Sequence, residues 1–131
     1  METIGTRLQA VKGRIAAACG QAGRDANSVT LLAVSKTFGP KAVRAAQAAG
    51  QRAFGENYVQ EALAKIEALA ELRPQLEWHF IGPLQSNKTR PVAEAFDWVH
   101  SVDRLKIAER LADQRPAWLP PLNLCLLVNV S

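Results

Sequence analysis

Hydrophobic residues recur along the chain with two different periods. The first period is helical, with apolar residues three or four positions apart at Ile4, Leu8, Val11 and Ile15. Such spacing places one apolar face on an α-helix, and Gly20 is the expected end of that helix. The chain therefore begins, in this prediction, with an amphipathic helix.

Five short apolar runs follow, and their content of β-branched and aromatic residues predicts β-strands. They are VTLLAVSK from Val29, RAFGEN from Arg52, EWHFIG from Glu77, WVHSVD from Trp98 and LNLCLLVNVS from Leu122. Positions 29, 52, 77, 98 and 122 are 23, 25, 21 and 24 residues apart. This regular spacing predicts parallel βαβ units and favours a closed barrel over an open doubly wound sheet. No G-x-G-x-x-G follows the first run, which removes the main argument for a dinucleotide-binding fold.

Helices are predicted between the strands. One begins at Pro40 and ends before Gly50, an arrangement typical of helix boundaries. The next has an apolar face that starts at Val59, and a short one covers Thr89 to Ala95. Asp103 is placed to cap the fourth.

The chain length bounds the architecture. A barrel of eight such units with a leading helix needs roughly 210 residues, whereas 131 residues supply five strands. We therefore expect a single domain that is a truncated part, about five-eighths, of a larger barrel. Its first and fifth strands would have unpaired edges, through which the truncated chain is expected to self-associate.

Composition excludes few classes of protein. The content is 48% hydrophobic and 21% charged with a net charge of +4, which is ordinary for a soluble domain. Nucleic-acid binding is permitted by that charge, but no basic stripe or RNA-binding motif supports it. No leader-like or membrane-spanning segment is visible, so a cytoplasmic location is expected. Cys19 and Cys125 are expected to be buried reduced thiols, and no metal site is predicted.

Polar residues cluster where the strands end, in the segments SKT, GENY, IGPLQSNK and HSVD. In an α/β barrel the ligand-binding groups collect at this edge. Lys36 is the sharpest candidate, because partial burial would disfavour its ammonium form and a neutral amine can form a Schiff base with a carbonyl. A solvated lysine just past a strand is the simpler alternative.

Other residues at these positions have structural interpretations. Glu56 is interpreted as a carboxylate in the first turn of a helix rather than a general base. His100 is interpreted as a packed strand residue, and Trp78 and Trp118 as packing groups.

The combination of LLAVSKT, FGENYVQEALAKI, WHFIGPLQSNK and VNVS resembles the YggS/PROSC family, the pyridoxal phosphate homeostasis proteins. The resemblance extends from the first helix to Ser131. It implies a (β/α)8 TIM barrel of the alanine racemase N-terminal type, in agreement with the strand spacing. Residues 1–131 would be the N-terminal part of that barrel, preceded by a helix.

The same resemblance implies a cofactor site. Lys36 would hold pyridoxal 5′-phosphate (PLP) as a Schiff base, an internal aldimine, and Asn57 would lie beside the cofactor. His79 and the backbone of Ile81 and Gly82 would line the pocket. Ser101 is a further candidate, with a hydroxyl that satisfies local backbone as an equal alternative.

The function implied is PLP (vitamin B6) homeostasis inside the cell, without catalysis and without an assigned catalytic residue. PLP and PLP-dependent apoenzymes would be the partners, and the complete protein would be a monomer. One alternative is a racemase-like PLP enzyme, disfavoured because racemisation needs two bases and Tyr58 is the only tyrosine. Another is a truncated chain that lacks PLP binding, because the phosphate-gripping turn of the family is not among these residues.

Overall fold

Parallel strands alternate with helices throughout the computed structural model, which describes residues 3–130. The helices are α1 (Ile4–Gln21), α2 (Pro40–Ala48), α3 (Val59–Ala68), α4 (Thr89–Ala95) and α5 (Leu105–Gln114). The strands are β1 (Ala33–Val34), β2 (Ala53–Glu56), β3 (Glu77–Phe80), β4 (Trp98–Val102) and β5 (Asn123–Leu126). The strands form one sheet in the order β1-β2-β3-β4-β5, and every neighbouring pair is parallel. A doubly wound sheet reverses its strand order at a switch point, so this order is that of a partial barrel and confirms the predicted fold class.

The helix boundaries follow local side-chain chemistry in part. Thr3 and Thr6 form a reciprocal cap in which each backbone N–H donates to the hydroxyl of the other residue, at 2.8 and 3.1 Å. The helix α2 begins at Pro40 as predicted. The predicted cap at Asp103 is wrong, because α5 begins at Leu105 and Arg104 takes the capping position without a side-chain cap bond.

The core lies between the sheet and the helices. Its largest members are almost fully buried aromatic and aliphatic side chains: Phe54, Leu69, Leu76, Trp78, Phe80, Phe96, Ile107 and Leu111. The packing role predicted for Trp78 is confirmed, whereas that for Trp118 is wrong. Trp118 is 84% exposed because it lies in the proline-containing segment between α5 and β5, where no face of a helix or strand turns it inward.

The outer strands are shorter than their apolar runs. In β1 only two residues pair with β2, and the carbonyl of Leu31 accepts instead from the side chain of Gln51 at 2.8 Å. In the fifth run the strand ends at Leu126, and the predicted end of that run, Ser131, lies outside the described residues.

Cys19 is buried and Cys125 is partly buried, and neither forms a disulfide. None of the helices within residues 3–130 is long and apolar enough to cross a membrane.

Candidate functional site

The carboxyl ends of β1, β2 and β3 lie level with one another. Val34 pairs with Gly55, and Gly55 pairs with His79. Because these strands are parallel, the loops that follow them leave from the same edge of the sheet. The predicted site residues on these loops therefore share one edge.

Lys36 lies two residues after the end of β1 and is exposed, although its neighbour Ser35 is buried. The partial burial expected of Lys36 is therefore not provided by the described residues, because β1 pairs with β2 alone. Among residues 3–130, no hydrogen bond or ion pair joins the Lys36 side chain to another predicted site residue. The backbone next to it is unusual, since Thr37 has a φ of 67°.

Asn57, Gly82 and Ser101 are brought into contact. A Cβ at Gly82 would lie 2.6 Å from the carbonyl oxygen of Asn57 and 2.7 Å from its Cβ, so only glycine fits this crossing. The Ser101 hydroxyl donates to the carbonyl of Gly82 at 2.5 Å. The alternative in which Ser101 satisfies local backbone is wrong, because its partner belongs to the loop after the neighbouring strand. Gly82 therefore connects Asn57 to Ser101.

The side chain of Asn57 contains an unsatisfied polar atom. Its Oδ1 is buried and accepts no hydrogen bond from any residue in the described part of the chain. Leaving a buried acceptor unpaired costs about 1–3 kcal/mol, so such atoms in folded proteins need an explanation. A bound ligand with a hydrogen-bond donor would supply one.

His79 is held in a fixed orientation on β3. Its Nε2 lies 2.7 Å from Glu77 Oε1 and its Nδ1 lies 2.8 Å from Nε2 of His100. The ring also stacks on Trp98 with centroids 5.5 Å apart. With both imidazoles neutral, Glu77 accepts the Nε2 proton of His79, and Nδ1 then accepts from His100.

The interpretation of His100 as a packed strand residue is confirmed in part. It is half-buried and contacts Trp98, but its hydrogen bond to His79 was not predicted. Burial lowers the pKa of His100, and the nearby His79 lowers that pKa further. The sequence does contain a signal for the contact between Glu77 and His79, because the period of two in a strand puts both residues on one face of β3.

Ile81 and Gly82 continue β3 into the loop. The Ile81 N–H donates to the carbonyl of Glu56 at 2.8 Å, and Ile81 Cδ1 lies 3.1 Å from where a Cβ of Gly55 would be. The absence of a side chain at Gly55 therefore makes room for Ile81 beside the strand ends.

Glu56 is part of a buried ion pair that the sequence analysis missed. It is the last residue of β2, it is fully buried, and its Oε2 lies 2.7 Å from Nζ of Lys65. Its interpretation as a carboxylate in the first turn of a helix is wrong, because α3 begins three residues later at Val59. The available signal was the position of Lys65 between Ala62 and Leu69, at the spacing of the buried helix face.

The sequence places this fold in a known family. Residues 7–131 match the family described as the alanine racemase, N-terminal domain. The chain belongs to this family. It is also 65% identical over 131 residues to the pyridoxal phosphate homeostasis protein of Pseudomonas aeruginosa and 57% identical over 132 residues to that of Escherichia coli. In both comparisons all of this chain is covered but only 56% of the relative, so the chain spans little more than half of their length.

Two solved structures of PipY from Synechococcus elongatus are similar to the chain. The structure with PLP bound is 47% identical in sequence, with a TM-score of 0.72, and the matched region covers 86% of this chain and 48% of PipY. The structure without PLP is 42% identical with a TM-score of 0.76, and covers 95% of this chain and 59% of PipY. These similarities confirm the resemblance to pyridoxal phosphate homeostasis proteins and the alanine racemase N-terminal type of fold.

Proposed function

We propose that the protein binds PLP and acts in PLP homeostasis, with the Lys36 amine as the group that holds the cofactor covalently. The observation that carries this proposal is the similarity to PipY with PLP bound, at 47% identity over 86% of the chain. Residues 1–131 would contribute to one PLP-binding domain inside the cell. PLP-dependent apoenzymes are the proposed recipients of the cofactor.

The residues at the strand ends fit a ligand of this kind. The buried Oδ1 of Asn57 needs a hydrogen-bond donor, and the close contact of Gly82 with Asn57 fixes the backbone beside it. The His79 ring is oriented by Glu77 on the neighbouring strand β3. PLP supplies an aldehyde and an electron-withdrawing ring when bound.

Lys36 supports the covalent part of the proposal through its position rather than through burial. Its side chain is exposed at the shared edge of the sheet, where an aldehyde can reach it from solvent. A neutral Nζ would attack the aldehyde carbon of the cofactor. The carbonyl oxygen would leave as water with the two hydrogens of the amine, and a C=N bond would replace the C=O bond, so no further reactant is needed.

Lys36→Ala in the natural protein that carries this sequence tests the proposal. Wild type mixed with PLP should develop the absorbance of a Schiff base, and the variant should not. Borohydride reduction followed by peptide mapping should place the cofactor on the peptide that contains Lys36.

One further variant separates the amine of Lys36 from its charge, and another serves as a control. Lys36→Arg keeps a cation but cannot form the C=N bond, so it should also lose the absorbance. Lys41→Ala removes an exposed lysine on α2 and should behave as wild type. Reduction that labels a different lysine in wild type would refute the assignment of Lys36.

A further inference from the structure

Four residues form a largely buried polar cluster between the strand ends and α3: Ser35, Glu56, Glu61 and Lys65. We call them the α3 clamp. The Lys65 side chain is 3% exposed, and its Nζ lies 2.8 Å from the Ser35 carbonyl oxygen, 2.7 Å from Glu56 Oε2 and 3.4 Å from Glu61 Oε1. The Ser35 hydroxyl donates to the same oxygen of Glu56. The clamp thus joins the end of β1, the end of β2 and one face of α3.

The α3 clamp holds the backbone on both sides of Lys36. The Ser35 carbonyl belongs to the peptide group before Lys36 and accepts from Lys65. The Thr37 N–H belongs to the peptide group after Lys36 and donates to Glu61 Oε1 at 2.5 Å. Because both flanking peptide groups are tied to α3, the direction in which the Cα–Cβ bond of Lys36 points is fixed.

The backbone at Thr37 shows why such a restraint is needed. Its φ of 67° lies in the left-handed region, which a β-branched residue rarely adopts. Conformations of this kind persist only where the surroundings determine them, and they concentrate at functional sites. Here the determining contacts are the bond to Glu61 and the turn in which the Phe38 N–H donates to the Ser35 carbonyl at 3.1 Å.

The chemistry of the clamp argues for a directional role rather than one in stability. A buried ion pair seldom stabilises a fold more than well-packed apolar residues would, because both charges must be removed from water. Hydrogen bonds to charged groups, in contrast, restrict geometry strongly. Two bonds of the clamp involve backbone atoms next to Lys36. Lys65 donates to the carbonyl of Ser35, and Glu61 accepts from the N–H of Thr37.

We infer that Glu56, Glu61 and Lys65 are positioning residues that aim the Lys36 amine at the edge of the sheet where the cofactor binds. The inference rests on the proposed function, in which Lys36 is the amine that reacts with PLP. Glu61 acts through Thr37, Lys65 acts through Ser35, and Glu56 holds Lys65 and the Ser35 hydroxyl in place.

Glu61 is the residue to change, because its side chain is 33% exposed, whereas loss of Lys65 would strand the buried carboxylate of Glu56. Glu61→Ala removes the acceptor for Thr37, and Glu61→Gln keeps an acceptor oxygen of the same reach. Glu67→Ala, an exposed carboxylate on the same helix, is the matched control. All three variants are made in the natural protein. Their reaction rates are compared under conditions in which circular dichroism shows that each variant is folded.

The readout is the rate at which Schiff-base absorbance develops after PLP is added, together with borohydride mapping. Glu61→Ala should slow the reaction by about tenfold or more, since small misplacements of a reacting group cost up to about a hundredfold. Glu61→Gln should retain a rate within about threefold of wild type, because one neutral hydrogen bond replaces a charged one. Glu67→Ala should match wild type.

The outcomes separate the inference from the proposed function. Label on Lys36 in wild type, combined with an unchanged rate in Glu61→Ala, would overturn the inference and leave the proposed function intact. Equal slowing by Glu61→Gln would also overturn it, because the effect would then belong to the charge and not to the bond with Thr37. If wild type carries the label on another lysine, it is the proposed function that fails.

Discussion

Gly82 is the residue at which two predicted site segments touch. Gly82→Ala would place a Cβ 2.6 Å from the carbonyl oxygen of Asn57, which is backbone and cannot rotate away. Overpacking of this kind costs roughly 1–3 kcal/mol, so we expect the free energy of unfolding to fall by that amount. Urea unfolding followed by circular dichroism measures it.

Gly13→Ala is the matched control for that substitution. Gly13 lies within α1, and, apart from its chain neighbours and the nearby backbone of its own helix, a Cβ there would meet no described atom within 4 Å. Alanine in a helix interior is more favourable than glycine by roughly 0.5–1 kcal/mol, so this variant should be more stable than wild type. The same sign for both substitutions would contradict the close contact between Gly82 and Asn57.

Single residues also show what the sequence could and could not predict. Asn57 and Gly82 lie in motifs that resemble a known family, and Ser101 is a candidate from its place at the end of the fourth predicted strand. The structure brings the three together. The buried position of Lys65 was missed because lysine is almost never fully buried without a partner. Its partner Glu56 is nine residues away on a different element, and local pattern does not contain that contact.

At the scale of elements, β3 and β4 are joined by their histidines as well as by backbone bonds. Burial and the neighbouring His79 lower the pKa of His100 below its ordinary value of 6.5. In the unfolded chain this imidazole takes up a proton near pH 6.5, whereas in the folded protein it does so only at lower pH. Between those two values the unfolded state binds more protons, so the free energy of unfolding should fall as the pH drops.

His100→Gln tests this coupling between the strands. Well above its ordinary pKa of 6.5 the imidazole is neutral in both states and its contribution is constant. Below the folded pKa both states carry the proton and the loss is complete. The wild type should therefore lose more stability than His100→Gln between about pH 7.5 and pH 5.5. Parallel curves for the two proteins would show that His100 does not contribute.

The elements themselves were largely predictable from the sequence. Period-two and period-3.6 patterns record which face of a strand or helix is buried, and the spacing of about 23 residues records the length of a βα unit. The extent of β1 was not predictable in the same way. A strand continues only while its neighbour pairs with it, and here β1 pairs with β2 through two residues.

At the scale of the whole molecule, the two edges of the sheet differ from its interior. β1 and β5 each pair with one neighbour among the described strands. At the end of β5 and directly after it, Leu126, Leu127 and Val128 are 73%, 59% and 72% exposed. Open strand edges with apolar side chains are sites of association between chains.

The 131-residue chain by itself should therefore self-associate, and the associated fraction should rise with concentration. Analytical ultracentrifugation at up to about 100 μM would detect this. Leu127→Lys should weaken this association, because a lysine at an edge must be desolvated when another strand approaches. Trp118→Lys adds the same charge at a more exposed apolar residue that lies in a loop, and it should have little effect. Equal weakening by both substitutions would assign the association to general surface hydrophobicity, whereas a selective effect of Leu127→Lys would locate it at the edge of β5.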